Sequence, residues 1–169
     1  RSAYQSFEDW RSLSKSFVDM ADFDPASATL TAGEPEHISV IRTSANLLPL
    51  LGVQLLQGRT FSDREAEQRQ RLAVISYRFW QTRFAGSGQA IGSAIELDGV
   101  PLQVIGILPE GFRFQGRDSP DVWMPQTLAP DWESQRRARG VGPWFVIGRL
   151  RPGVTLQHAQ AEINAIARR

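Results

Sequence analysis

The stretch Ser93–Pro109, SAIELDGVPLQVIGILP, decides how the rest of the chain is read. Asp98-Gly99 lies between two alternating apolar runs, and Asp-Gly suits a two-residue hairpin turn whose central residues both take positive φ. With that turn, Leu97 faces Val100 and Ile95 faces Leu102. Ile95, Leu97, Val100, Leu102 and Val104 then share one face of the ribbon, a set that a one-residue slip would scatter. After Gln103 the run Val104-Ile105-Gly106-Ile107-Leu108 loses its alternation, which predicts a strand covered on both faces. Gly106 within it marks a bulge or a close backbone approach.

The segments around the hairpin alternate helix and strand. Ser2-Ala3-Tyr4-Gln5 has capping-box spacing, and Ala3, Phe7, Trp10, Leu13 and Phe17 recur at helical intervals, so a helix is predicted from about Ala3 to Ser16. Residues 17–23 and 28–31 read as short strands around a turn at Asp24-Pro25, and Glu36–Thr43 as another strand. Leu47–Leu51 is a short helix stopped by Gly52. A second capping box, Ser62-Asp63-Arg64-Glu65, opens a charged helix and loop. Leu72–Ile75 is a buried strand. Ser76 then caps a helix with the stripe Tyr77, Trp80 and Phe84, which Gly86 ends.

Val122–Pro125 reads as a brief edge strand because of its proline. Residues 128–143 are polar and arginine-rich, a long loop with one helical turn. Trp144–Leu150 is a strand, and Pro152-Gly153 turns into a helix capped by Thr155 with the stripe Leu156, Ala159, Ile163 and Ile166.

Composition sets the class. The 169 residues suffice for one core or two small lobes, and the hydrophobic and charged fractions, 41% and 22%, are those of a folded domain. A net charge of +1 gives no global field for nucleic acid or an anionic membrane surface. The absence of cysteine excludes disulfides, thiolate zinc sites and a thiol nucleophile, and suits an extracytoplasmic compartment. No window reaches the eighteen or so apolar residues of a membrane span, and no signal-peptide pattern opens the chain. Beginning at Arg1-Ser2 without methionine, it reads as an excised or processed piece whose membrane anchor would lie outside it.

No motif carries chemistry. His37 and His158 have no metal-ligand spacing. Gly86-Ser87-Gly88 with Gly92 imitates a phosphate cradle but follows a helix and precedes a strand, the reverse of the dinucleotide fingerprint. There is no P-loop and no G-x-S-x-G. Asp19, Asp22 and Asp24 lack the glycine and distal glutamate of a calcium loop, and a solvated turn is the simpler reading. No catalytic, cofactor or metal residue is therefore assigned. Trp132, Arg136, Arg137, Arg139 and Trp144 form the one basic and aromatic cluster, a contact surface for an anion or a partner, or else an exposed loop.

Several motifs in order carry a resemblance: Leu51-Gly52-Val53, Gly58-Arg59-Thr60-Phe61, Ala73-Val74-Ile75-Ser76-Tyr77 with Trp80 and Phe84, Gly92, and Leu97-Asp98-Gly99. Val104-Ile105-Gly106-Ile107-Leu108-Pro109-Glu110-Gly111-Phe112, Trp123-Met124-Pro125 and Gly148-Arg149-Leu150-Arg151-Pro152-Gly153-Val154 continue it. Together they resemble the periplasmic core domain of MacB/FtsX-type ABC-transporter permeases, of the kind without a fused ATPase. The resemblance implies a mixed α/β (α+β) fold of two lobes. A porter-like lobe would comprise residues 1–52 and 140–169, and an inserted β-rich lobe 53–139.

It further implies a non-catalytic periplasmic module without cofactor, which works by mechanotransmission. Its partners would be the flanking transmembrane helices of the same permease, a separate ATP-binding subunit, a second permease copy and a periplasmic adaptor, with no nucleic acid. The alternative is a stand-alone binding or enzymatic domain that uses the arginine-rich 132–144 loop for an anionic ligand.

Overall fold

Asp98 and Gly99 take positive φ, 50° and 77°, and join β5 (Ala94–Leu97) to β6 (Val100–Ile107) in the expected register, Leu97 opposite Val100 and Ile95 opposite Leu102. Ile95, Leu97, Leu102 and Val104 are buried on one face, while Val100, next to the turn, is 40% exposed. The computed structural model describes residues 4–137, 142 and 144–168. Before the hairpin come α1 (Tyr4–Leu13), β1 (Phe17–Leu30), β2 (Glu36–Thr43), α2 (Leu47–Leu51), β3 (Gln57–Gly58), α3 (Asp63–Glu67), β4 (Leu72–Ile75) and α4 (Tyr77–Phe84). After it come β7 (Arg113–Phe114), β8 (Arg117–Asp118), β9 (Val122–Pro125), α5 (Trp132–Gln135), β10 (Phe145–Leu150) and α6 (Leu156–Ala167).

One mixed sheet runs β10-β1-β2-β9-β4-β6-β3, and β5 pairs with both β6 and β1. The path β1-β2-β9-β4-β6-β5 thus returns to β1 through a single pair, Leu30 opposite Leu97. Thr31 N–H donates to the Glu96 carbonyl at 3.0 Å and Asp98 N–H to that of Thr29 at 2.8 Å, which closes the ring. Neighbouring residues along the central strands point to opposite faces: Val40 and Val122 join the core that contains Leu102 and Phe79, whereas Ile41 and Trp123 join Phe23, Leu47 and Leu108. Apolar packing on both faces explains the loss of alternation in β6. Ile105 is skipped in the β4–β6 register, a bulge beside Gly106. A Cβ on Gly106 would lie 2.5 Å from the Arg59 carbonyl oxygen, so the position serves a close approach as well.

Three sequence expectations change. First, residues 17–30 form one strand of 14 residues, not two about a turn. Pro25 pairs with Ile41 of β2, and on the opposite side of β1 the described strand pairings stop at Phe23 with β10 and resume at Leu30 with β5. A proline is tolerated on an edge of this kind. Second, Val122–Pro125 is a central strand, parallel to β2 and antiparallel to β4. Asp121, just before it, accepts from Ser39 N–H at 3.0 Å, Ser39 hydroxyl at 2.8 Å and Arg78 at 2.7 Å, fixing β9 against β2 and α4. Pro125 ends the strand, where its missing N–H disturbs least. Third, Leu156 is 74% exposed and lies off the buried stripe of α6, which is Ala159 and Ile166.

Local signals are confirmed at the helix ends. Ser62 and Glu65 form the reciprocal capping box, Ser76 accepts from Phe79 N–H, Thr155 from His158 N–H, and Gly52 ends α2 in the left-handed conformation. The Ser2 capping box lies outside the described residues. The first helix stops at Leu13 because the chain turns toward Glu162 of α6, whose carboxylate accepts from Ser14 hydroxyl, Lys15 N–H and Ser16 N–H at 2.7, 2.8 and 2.9 Å. Those hydrogen bonds bring Glu162 down to a pKa of about 2 and hold the first and last helices together.

Candidate functional site

The side chains expected to form a basic and aromatic surface are divided by the fold. Trp132 and Trp144 are 6% and 0% exposed and meet edge to face at 6.0 Å between ring centroids, with Tyr4 of α1 against Trp132 at 4.8 Å. Trp144 is wholly buried and cannot stack on an external ligand, whereas Trp132, largely buried, borders the cleft described next; together they tie α5 and β10 to α1. Arg136 is exposed, its guanidinium 3.6 Å from Glu133, and its carbonyl accepts from Gln5 at 3.0 Å. Arg137 is exposed. Arg139 lies outside the described residues.

Trp132 and Arg136 do border a cleft of about 480 Å³, together with Tyr4, Phe7, Glu8 and Arg11 of α1, Ser44 and Ala45, Asp63, Ala66 and Glu67 on α3, and Gln126 and Thr127. Elementary packing explains its shape. Phe7, 1% exposed, seats α1, and Thr127 hydroxyl donates to the Ala66 carbonyl at 2.6 Å, pinning α3 to the turn after β9. Helices that are short and separated by loops leave space between them. Glu8, Asp63 and Glu67 give the cleft three carboxylates. Its two arginines bond carboxylates outside it, Arg11 meeting Asp19 at 2.9 Å and Arg136 facing Glu133, while the charges of Asp63 and Glu8 inside it also act on Arg11.

The three aspartates at 19, 22 and 24 lie on β1 and not in a solvated turn. Asp19 receives Arg11 and Asn46, and although burial opposes it, these hydrogen bonds hold its carboxyl below the usual range. Asp24 faces Arg42 at 3.5 Å. Asp22 is fully buried; its backbone N–H donates to Ser44 hydroxyl, but neither carboxyl oxygen has a hydrogen-bond partner among the described residues. Burial pushes it up to about 7, with Glu8 adding to the rise against the pull of Ser44. Tyr4 is raised in the same way, by burial and by nearby Glu8 and Asp22. Among the described residues no three histidine, aspartate or glutamate side chains converge as a metal site. No described helix is long and apolar enough to cross a membrane.

Sequence reasoning set Asp22 aside with Asp19 and Asp24 as a solvated turn, and it missed Gln126 and the α1–α3 cleft. Nothing local marks Asp22 off from the other two aspartates of β1, and its burial follows from pairings with β10 and β2 that no local pattern encodes.

Residues 2–166 match the family described as MacB-like periplasmic core domain. The chain is 32% identical over 93 residues to the macrolide export ATP-binding/permease protein MacB of Chromobacterium violaceum, covering 55% of this chain and 14% of that protein. It is 25% identical over 140 residues to the pyoverdine export ATP-binding/permease protein PvdT of Pseudomonas savastanoi pv. phaseolicola, covering 81% and 21%. The chain thus spans between a seventh and about a fifth of these relatives. Among solved structures, the periplasmic region of MacB from Actinobacillus actinomycetemcomitans superposes with a TM-score of 0.76 at 14% identity, covering 98% of this chain and 72% of that one. The extracellular domain of the noncanonic ABC-type transporter YknZ from Gram-positive bacteria gives 0.71 at 15%, covering 95% and 78%. With its mixed sheet and helices, a family match over nearly the whole length and this likeness of fold, the chain belongs to the MacB-like periplasmic core domain family of ABC-type permeases.

Proposed function

We propose that this domain transmits motion: ATP-driven displacement of transmembrane helices in the same permease enters at the α1 and α6 end and is delivered, through a rigid sheet, to a substrate or partner outside the cytoplasm. The observation that carries this reading is β1. Its 14 residues, at about 3.3 Å each, span roughly 45 Å as one strand, with a register shift against β10 between Phe17 and Asp19. At one end it pairs with β10 next to the Glu162 junction, and at the other with β2 and the hairpin strand β5. On this reading a porter-like lobe comprises residues 1–52 and 140–169 and an inserted lobe 53–139, with the seam at the β2–β9 pairing. The partners are a separate ATP-binding subunit, a second permease copy and a periplasmic adaptor. The relatives that bear export names couple a permease to ATP binding, and the reading takes that coupling over without their cargo.

The test is distance measurement between spin labels at Gln157 on α6 and Val100 at the hairpin tip of the intact permease, with and without ATP. A constant distance within one copy and a changed distance between copies is expected. A domain that bends internally while the copies stay still would refute rigid transmission. The stand-alone alternative, an anionic-ligand site on the 132–144 loop, is not favoured, because Trp144 is buried and the cleft bordered by Trp132 and Arg136 carries the carboxylates of Glu8, Asp63 and Glu67.

A further inference from the structure

The cleft between α1, α3 and the turn after β9 carries three carboxylates against two arginines and has a wall of aromatic rings. Gln126 lines it, is 6% exposed, and its Oε1 is buried with no hydrogen-bond partner among the described residues. A buried amide oxygen left unpaired is destabilising, and an N–H donor in the cleft removes that penalty. The carboxylates of Asp63 and Glu67 line the same space, and neither has an ion-pair partner among the described residues. Of the two arginines at the cleft, Arg136 faces Glu133 and Arg11 bonds Asp19, while the charges of Asp63 and Glu8 also act on Arg11. Tyr4, Phe7 and Trp132 supply the apolar wall. Asp22 lies behind Ser44, and its two carboxyl oxygens have no hydrogen-bond partner among the described residues.

From this arrangement we propose that the cleft is a binding site for a small organic ammonium ion: a protonated amine whose N–H groups are taken by Gln126 and the Asp63 and Glu67 carboxylates, attached to a flat apolar body that lies against Tyr4 and Trp132. Each half of the recognition follows from the lining. Carboxylates and aromatic faces both attract a cation, and the ammonium N–H groups satisfy the amide oxygen as well as the carboxylates. The volume of about 480 Å³ is that of a small-molecule pocket. Three carboxylates against two arginines leave the lining net negative, which disfavours an anion. The inference is independent of whether the domain transmits motion.

The probe is 2-phenylethylammonium, titrated into this chain by calorimetry beside 2-phenylethanol and phenylacetate, which share its ring and differ in charge. The amine is expected to bind about tenfold tighter than the alcohol, phenylacetate not at all, and added salt to weaken the amine. Gln126→Met and the pair Asp63→Asn with Glu67→Gln should each weaken the amine at least about fivefold, the carboxylate pair with the alcohol unchanged. Circular dichroism of each variant controls for folding, and Arg137→Gln, outside the cleft, should leave binding as it is. Equal affinity for amine and alcohol, binding indifferent to the Gln126 and carboxylate substitutions in folded variants, or no heat with the amine up to about 10 mM would each overturn the proposal.

Discussion

Replacing Asp22 with asparagine isolates the energetic effect of one buried carboxyl. In the folded chain its pKa is about 7, against 3.8 for an ordinary aspartate, because burial penalises the charged form. The sign follows from proton counting. Below pH 3.8 the group is neutral folded or unfolded and exerts no pH-dependent effect. Between about pH 4 and 7 the unfolded chain releases its proton while the folded chain keeps it, so stability falls as pH rises; above about 7 the loss levels off. At about 1.4 kcal/mol per pH unit the full loss is of the order of 4 kcal/mol. An amide side chain cannot ionise, so the Asp22→Asn variant should gain on the parent by that amount across the window. The assay is urea unfolding followed by tryptophan fluorescence at several values between about pH 4.5 and 8.5, read as the variant-minus-parent difference. The buried amide adds an offset that is constant with pH, so the slope carries the answer. Groups common to both proteins, such as Glu65 and Glu162, cancel. Parallel stability curves over this range would refute the argument that Asp22 is held neutral by burial.

Other substitutions test particular contacts. Gly106→Ala places a methyl 2.5 Å from the Arg59 carbonyl oxygen and 2.9 Å from a Leu55 methyl, and should cost about 2–4 kcal/mol in a urea melt and loosen β3 from β6. Glu162→Gln weakens three hydrogen bonds between α6 and the turn before β1; after allowance for solvent screening the loss is about 1 kcal/mol. Because Glu162 is held at about 2, this contribution is present above about pH 4.5 and disappears as pH falls toward 2, which an acid titration of the variant and parent should reproduce. Ser62→Ala removes the cap of α3 at about 1 kcal/mol, visible as faster amide exchange at Glu65 and Ala66. Gly99→Val forces a β-branched residue to positive φ and should shift the register or destabilise the hairpin by about 1–3 kcal/mol, measured by thermal unfolding.

The features legible in the sequence are those whose causes are local. Asp98-Gly99 fixes a turn between adjacent residues, Ser62 and Glu65 satisfy each other three positions apart, and Ser76 and Thr155 cap helices from the preceding residue. The central position of β9 was hidden because its partner β2 lies some eighty residues earlier; the tie that places it, Ser39 to Asp121, leaves no mark in either segment alone. Pro25 misled for a related reason. A proline forbids a strand interior only where a partner needs its N–H, and the gap in the described pairings along β1 became visible only with the sheet assembled. The cleft was illegible because its walls come from α1, α3 and the turn after β9, and the residue pattern of each, taken singly, is that of an ordinary amphipathic surface. Trp132 and Trp144 had the composition of a contact patch, but aromatic residues in a polar loop also serve as plugs, and here that is the role of Trp144, while Trp132 borders the cleft.

The ring of strands closes at one residue pair, Leu30 with Leu97, while β1 and β2 are joined over eight. These two seams answer differently to force. A pull along the axis of β1 loads the β1–β2 bonds together, side by side, and must strain all of them before any gives way. A pull across the sheet meets the clasp at Thr29, Thr31, Glu96 and Asp98 one bond after another, like a zipper drawn from its end. The barrel is therefore stiff lengthwise and has one built-in place to part sideways, beside the hairpin.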